Sequence, residues 1–471
     1  MRPFEILIPV ILAVYLGWPL ISGKKRSVVV NLLPAVVLAL TALHLLVEKY
    51  RWQMIPLYGL ALLCFMVSVV ALIRRGKGAF RWQSWAGVGL AASLVVTLVF
   101  AAVPTLLPVP SIPAPTGPHK VGTLTLTLVD TSRKELYSGN PNDPRKIMIQ
   151  VWYPALPATG ASVAYWMPNA EIVAPAIARW LHLPDFFLNH LELARTSSYE
   201  SAPLDKSGGP YPVLVFSHGW GGFRAQNTFQ FQELASQGYV VVGMEHTYGT
   251  AVTVFPDGQV AYNNPEALPA ELSGDAYDQA ARKLVGQWSG DIGFALDTLG
   301  KLNASDPQGI LQGSMDLNKV GVFGHSTGGG ATIQFCGTDS RCKAGLTMDA
   351  FMTPVATDVL DGGMSQPFLF LFSQTWSSTK NTTLFNRLLP HVAQPVGVYT
   401  ILGTSHYDFS DLPGLTPLAP MLGLKGPLEA GKVMQIINDY SLAFFNQTLK
   451  GEASGLLASP VSTYKEVQAG K

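Results

Sequence analysis

The chain has 471 residues, 48% of them hydrophobic and only 13% charged, with a net charge of +1. Soluble domains average roughly a quarter charged residues, so part of this chain departs from ordinary soluble protein, and the even charge balance gives no support to nucleic-acid binding. The deficit lies at the amino end.

Four apolar stretches precede Pro110, at about 6–21, 28–47, 54–73 and 85–107. Each is close to the ~20 residues that cross a bilayer. Basic charge concentrates in the first and third loops, Gly23-Lys-Lys-Arg26 and Arg74 to Arg81, whereas Glu48 compensates in the second. The positive-inside rule then places loops one and three in the cytoplasm and everything after the fourth span outside. Trp18, Trp52, Trp82 and Trp85 fall near span ends, as interfacial anchors do. No small-x-small cleavage site follows the first stretch, so a removed signal peptide is the weaker reading. No charged pair is evident within the spans, which argues against a transport pathway.

Residues 109–118 form a proline-dense, uncharged linker, expected to be an extended spacer. From His119, β-rich runs alternate with helical periodicity up to about residue 450, and residues 451–471 read as a tail. The runs are Leu124–Val129, Ile147–Tyr153, Val213–Phe216, Val240–Met244, Val320–Phe323, Ala344–Met348, Pro367–Phe372 and Val396–Leu402. Leu284, Trp288, Ile292, Ala295 and Leu299 make one long helical stripe between them. Such alternation predicts an α/β fold with a mostly parallel sheet, whose ligands bind at the carboxyl ends of the strands. The segment 165–193, rich in Trp, Leu, Phe and Ile, reads as a helical insertion, either packed on the body or forming a cap near the site.

Within that domain, Val320-Phe323 runs into Gly324-His-Ser-Thr-Gly328 and then into small residues able to start a helix. This is the strand–turn–helix context of a G-x-S-x-G nucleophile elbow, with Ser326 as nucleophile. A triad in the chain order serine, acid, histidine needs an acid and a base at later strand ends. Ala344–Met348 ends in Asp349, and Val396–Leu402 leads into Gly403-Thr-Ser-His406. Asp358, Asp361, Asp408 and Asp411 do not directly end a strand, and His391 precedes one, so these read as loop or capping residues. The oxyanion hole is expected from the backbone N–H of Thr327 and of Trp220, in the loop Phe216-Ser-His-Gly-Trp-Gly-Gly222. His218, His325 and Glu245-His246 read as structural. Cys336 and Cys342 lie close enough for a disulfide in an oxidising compartment, though two free thiols fit equally. No motif for a metal or cofactor accompanies the serine.

The segment Val121–Phe445 resembles the plasma, lipoprotein-associated type of platelet-activating factor acetylhydrolase. The likeness rests on Leu128-Val-Asp-Thr-Ser-Arg133, Val151-Trp-Tyr-Pro154, Tyr165-Trp-Met-Pro-Asn169, Val215-Phe-Ser-His-Gly219 with Phe223-Arg224, Glu245-His246, the elbow, Met348-Asp-Ala-Phe-Met352, and His406 followed by Phe409-Ser-Asp411. The resemblance implies an α/β-hydrolase fold, a Ser326–Asp349–His406 triad, oxyanion donors at Trp220 and Thr327, and hydrolysis of short or oxidised sn-2 acyl esters of phospholipids. Family members often carry an aromatic where this chain has Thr327 and an aliphatic residue where it has Trp220. The apolar stretches, foreign to secreted relatives, suggest a membrane-anchored form of bacterial type with an extracytoplasmic catalytic domain. Neither a cofactor nor an obligate protein partner is implied. A broad carboxylesterase, dienelactone hydrolase-like or cutinase-like polyester hydrolase is the alternative enzyme; a catalytically dead membrane sensor or scaffold is the alternative outside enzymes.

Overall fold

The structure is a computed structural model, and it describes residues 2–22, 26–73, 85–458 and 463–470. The chain divides into two compact units, residues 1–110 with 415–418 and residues 111–414 with 419–471.

In the first unit, α1 (Pro3–Ser22), α2 (Val28–Leu43), α3 (Ile55–Ile73) and α4 (Trp85–Leu106) are helical. A π-turn, His44–Glu48, extends α2, and a short 3-10 turn, Trp52–Met54, leads into α3. Three helical stretches, Pro3–Ser22, Val28–Glu48 and Trp52–Ile73, are long and apolar enough to cross a bilayer. The fourth is formed, but its apolar portion among the described residues runs only Ala91–Leu106, so four expected spans stand at three candidates. Most of loops one and three, with Trp82, lies outside the described residues. Ile8, Leu12 and Leu16 of α1 bury themselves with Val30, Val37, Leu57 and Ala61.

Where the sequence shows no charged pair within the spans, the structure has one at their margin: α1 starts at Pro3 rather than at Ile6, and the Glu5 carboxylate is fully buried 2.6 Å from the Arg51 guanidinium. Arg2 adds two more bonds to the same oxygen at 2.8 and 3.0 Å, so a charged cluster does exist among these helices. Glu5, His44 and Glu48 approach closely enough to share an ion. Arg2 and Arg51 already balance the two carboxylates, however, so a divalent cation would enter against two guanidiniums.

The second unit is built on one sheet of eleven strands. In chain order these are β1 (Lys120–Lys134), β2 (Pro144–Ala155), β3 (Val163–Tyr165), β4 (Arg195–Glu200), β5 (Tyr211–Ser217), β6 (Val240–Glu245), then β9 (Met315–His325), β10 (Cys342–Met348), β11 (Met364–Ser373), β12 (Val392–Ile401) and β13 (Val467–Ala469). The short strands β7 (Val252–Val254) and β8 (Val260–Tyr262) pair separately as a hairpin. The order across the sheet is β13-β12-β11-β10-β9-β5-β6-β2-β1-β4-β3. From β12 to β6 every neighbour is parallel, while β2 joins β6 antiparallel. The parallel strands are near-continuous apolar runs because helices cover them: Val213–Phe216 and Val240–Val242 are wholly buried. Around the sheet lie α5 (Ala170–Trp180), α6 (Thr228–Ser236), α7 (Gly274–Ala304), α8 (Thr327–Thr338), α9 (Thr357–Gly362), α10 (Thr379–Leu388), α11 (Ala430–Phe445) and the single turn α12 (Gly455–Ala458). The stripe Leu284, Trp288, Ile292, Ala295 and Leu299 of α7 is buried throughout, so the mostly parallel α/β architecture is as expected.

Two segments do more than their composition suggests. Residues 113–119 carry no helix or strand, yet they are bonded along α6: Thr116 N–H and Oγ donate to Glu233 at 2.7 Å each, and His119 N–H donates to Ser236 C=O. Over this length the expected spacer is docked. Within 451–471, β13 pairs antiparallel with β12, so the expected tail completes the sheet edge.

Candidate active site

The elbow forms where β9 ends at His325 and α8 begins at Thr327. Between them Ser326 takes φ 56° and ψ −120°, a left-handed conformation that costs a non-glycine residue about 1–3 kcal/mol. The surroundings hold it there. Ser326 N–H donates to Met348 C=O at 3.0 Å, and Phe351 N–H donates to Ser326 C=O at 2.9 Å, fastening the turn to the end of β10. Close approach explains the flanking glycines: a Cβ on Gly324 would lie 2.3 Å from Gly328 O, and one on Gly328 would lie 2.0 Å from Ser217 O.

Asp349 follows β10 directly, also at positive φ (47°), with its carboxylate buried. Three donors converge on it. Ser373 N–H meets Oδ1 at 2.6 Å, Ser373 Oγ–H meets Oδ2 at 2.6 Å, and His406 Nδ1 lies 3.0 Å from Oδ2. Ser373 ends β11, the next parallel strand; it is the site residue that sequence reasoning missed. A bond from Nδ1 to a carboxylate leaves Nε2 as the proton-accepting nitrogen. His406 opens a single 3-10 turn anchored by a capping box in which Asp408 accepts from Ser405 N–H and Oγ–H, and from Gly426 N–H. Ser326, Asp349 and His406 line one cavity of about 330 Å³, walled by Phe351, Thr375, Trp376 and Asn381. No hydrogen bond joins the Ser326 hydroxyl to His406 among the described residues.

Among the described residues, neither the backbone N–H of Trp220 nor that of Thr327 donates to another backbone carbonyl. The two residues after Trp220 do: Gly221 N–H reaches Gly249 C=O at 2.9 Å and Gly222 N–H reaches Gly219 C=O at 2.9 Å. The insertion expected at 165–193 contributes α5, whose Trp180 lies against Gly221, where a Cβ would meet the indole at 2.8 Å. It therefore packs as a cover on the loop carrying Trp220.

The remaining candidates are engaged in hydrogen bonds and ion pairs of their own. His218 Nδ1–H donates to Gly219 C=O at 2.7 Å, and its Nε2 accepts His246 N–H. His246 bridges Ser217 Oγ (2.9 Å) and Asp291 (2.9 Å) and stacks on Trp288 at 4.2 Å. This second Ser–His–Asp array is wholly buried. Asp291 stays well below the usual carboxylate range: burial works to raise it, but Arg145, bonded to it twice, outweighs that. Burial pushes His246 down and His218 down to about 3. Asp361 pairs with Arg387, and Asp411 accepts from Thr228 N–H, Phe229 N–H and Trp166 Nε1–H at the start of α6. Cys336 and Cys342 are joined in a disulfide that links the end of α8 to the start of β10.

A profile of the family described as platelet-activating factor acetylhydrolase, isoform II, matches residues 108–454. The platelet-activating factor acetylhydrolase of Cavia porcellus is 28% identical over 72% of this chain and 78% of its own length. A probable 1-alkyl-2-acetylglycerophosphocholine esterase of Arthroderma benhamiae is 27% identical over 80% of this chain and 97% of its own. A ferulic acid esterase from Streptomyces cinnamoneus has a similar fold, with TM-score 0.63 and 24% identity over 77% of this chain and all of that one. The chain thus belongs to the platelet-activating factor acetylhydrolase isoform II family of ester hydrolases.

Proposed function

We propose that the protein is a serine hydrolase of phospholipid esters with short or oxidised sn-2 acyl chains, held at a membrane by its amino-terminal helices with the catalytic unit outside the cytoplasm. The observation that carries the mechanism is the Asp349–His406 hydrogen bond beside the cavity that Ser326 also lines. Ser326 Oγ attacks the ester carbonyl carbon while His406 Nε2 takes its proton. The carbonyl oxygen becomes an oxyanion between the N–H groups of Trp220 and Thr327. Collapse breaks the acyl–oxygen bond, and His406 returns the proton to the departing alcohol. Water then enters by the same route and frees the acid, regenerating Ser326.

The strained turn supports this assignment, since positive φ at a buried-edge serine is retained at a cost. The names of the relatives support the phospholipid substrate. The Cys336–Cys342 disulfide favours an oxidising compartment, in line with the outward placement, and three apolar helices favour anchoring. Ser326→Ala should abolish hydrolysis of 2-acetyl phospholipid and of p-nitrophenyl butyrate without loss of fold; retained turnover removes Ser326 from this role. A broad carboxylesterase is the second reading, favoured by the hydroxyl-rich rim Thr375, Ser377 and Ser378. Faster turnover of simple butyrate esters than of acetyl phospholipid would select it. A dead scaffold would fail to label with a fluorophosphonate.

A further inference from the structure

Two side chains near the site take no part in the steps above and yet connect its pieces. His325, buried and one residue before Ser326, lies with its ring 4.5 Å from that of His406. Its Nε2 is 2.9 Å from the His406 carbonyl oxygen. Only an N–H can be bonded to a carbonyl, so Nε2 carries the proton and Nδ1 is left as an acceptor. Gln226 Nε2–H fills that acceptor at 3.2 Å. The other end of the same amide, Oε1, accepts Gly219 N–H at 3.2 Å, one residue before Trp220. The donor sense of each link is thus fixed by the next.

The loops at both ends are stapled through the same region. Asp411 N–H donates to Gln226 C=O at 2.9 Å, and Asn227 Nδ2–H donates to Phe409 C=O at 2.9 Å. There is no slack around the relay. A Cβ on Gly219 would press on His325 Nδ1 and Ser326 Cβ at 3.3 Å each, and one on Gly222 would strike Gln226 Oε1 at 2.2 Å.

We propose that Gln226 and His325 are positioning residues that tie the loop bearing the oxyanion donor Trp220 to the loop bearing the base His406, so that both address Ser326 in one registration. The proposal rests on the roles given above to Ser326, His406 and Trp220. It requires His325 to stay neutral: an imidazolium has no acceptor for Gln226, and it would set a second positive charge against His406 as that residue takes its proton. Burial and the neighbouring His406 both hold His325 well below the usual histidine range, in keeping with this requirement.

The test uses the full-length protein in detergent, with p-nitrophenyl butyrate as substrate and a trifluoromethyl ketone as a probe that forms an oxyanion on the serine. His325→Leu and Gln226→Leu remove the relay while keeping bulk; His325→Gln restores one donor and one acceptor. The expected result is a kcat reduced about 10- to 100-fold with KM within about threefold. Ketone affinity falls by a similar factor, and His325→Gln recovers most of both losses. Folded Leu variants with kcat within about twofold of the parent, a loss confined to KM, or a loss that His325→Gln fails to recover would each overturn the proposal. If His325→Leu does not fold, Gln226→Leu decides by the same thresholds. Ser326→Ala is measured alongside: an inactive Ser326→Ala with fully active relay variants removes the relay alone, whereas an active Ser326→Ala removes the hydrolase mechanism itself.

Discussion

In the proposed mechanism, Asp349→Asn isolates what the acid does for the base. The carboxylate accepts from Ser373 N–H, Ser373 Oγ–H and His406 Nδ1. An asparagine must keep its oxygen toward the backbone N–H of Ser373, which cannot reverse its sense. Its NH₂ then occupies the place of Oδ2. There the Ser373 hydroxyl can rotate to accept, but His406 can accept only by moving its proton from Nδ1 to Nε2. That tautomer points an N–H at Ser326, so it cannot take the serine's proton. The bonds survive in number while the base is disabled. We expect a kcat loss of about 10³- to 10⁴-fold, or about 4–5.5 kcal/mol of barrier, and a stability change of about 1 kcal/mol or less. Initial rates of p-nitrophenyl butyrate hydrolysis with purified protein measure the first, and denaturant melts measure the second. A kcat within tenfold of the parent, in a variant that melts normally, would refute the tautomer argument.

Other perturbations are as specific. Gly328→Ala forces a methyl group to within 2.0 Å of Ser217 O, so we expect several kcal/mol of destabilisation or loss of soluble expression; normal stability would mean the elbow backbone yields freely. His218, His246 and His325 are each held below the ordinary histidine range by burial. The unfolded chain gains protons there first, so stability is full above about pH 6.5 and falls as the pH drops, by up to about 1.4 kcal/mol per unit for each histidine. Equilibrium melts at pH 7 and pH 5 that coincide would contradict this. Replacing Cys336 and Cys342 by serine should cost about 2 kcal/mol, the loop-entropy value for so short a closure, read as a lowered denaturation midpoint in non-reducing buffer.

The carboxyl edge of the sheet was legible because buried parallel strands are apolar runs, so Ser326, Asp349 and His406 stand out as polar residues where runs stop. What stayed hidden depends on contacts between distant positions. Ser373 also ends a strand, but a serine there carries no pattern until the neighbouring strand is known to end in Asp349. Glu5 and Arg51 are far apart in sequence, and each sits at the margin of an apolar stretch, where a charge is ordinary; only the packing of the helix ends brings them together. Proline density announced that 109–118 is extended but not that Thr116 and His119 would be bonded to α6. The edge strand Val467–Ala469 is too short for alternation to register, and its pairing with β12 depends on where the chain returns.

Ser217, His246 and Asp291 hold the same hydrogen-bond sequence that a hydrolytic centre needs, at 2.9 Å for both links. The trio is sealed beneath Trp288, and the Arg145 ion pair fixes its acid, so no ester can enter and no nucleophile can be freed. Identical chemistry is inert where it has no door, which makes an opening to solvent as much a part of a catalytic definition as the three side chains.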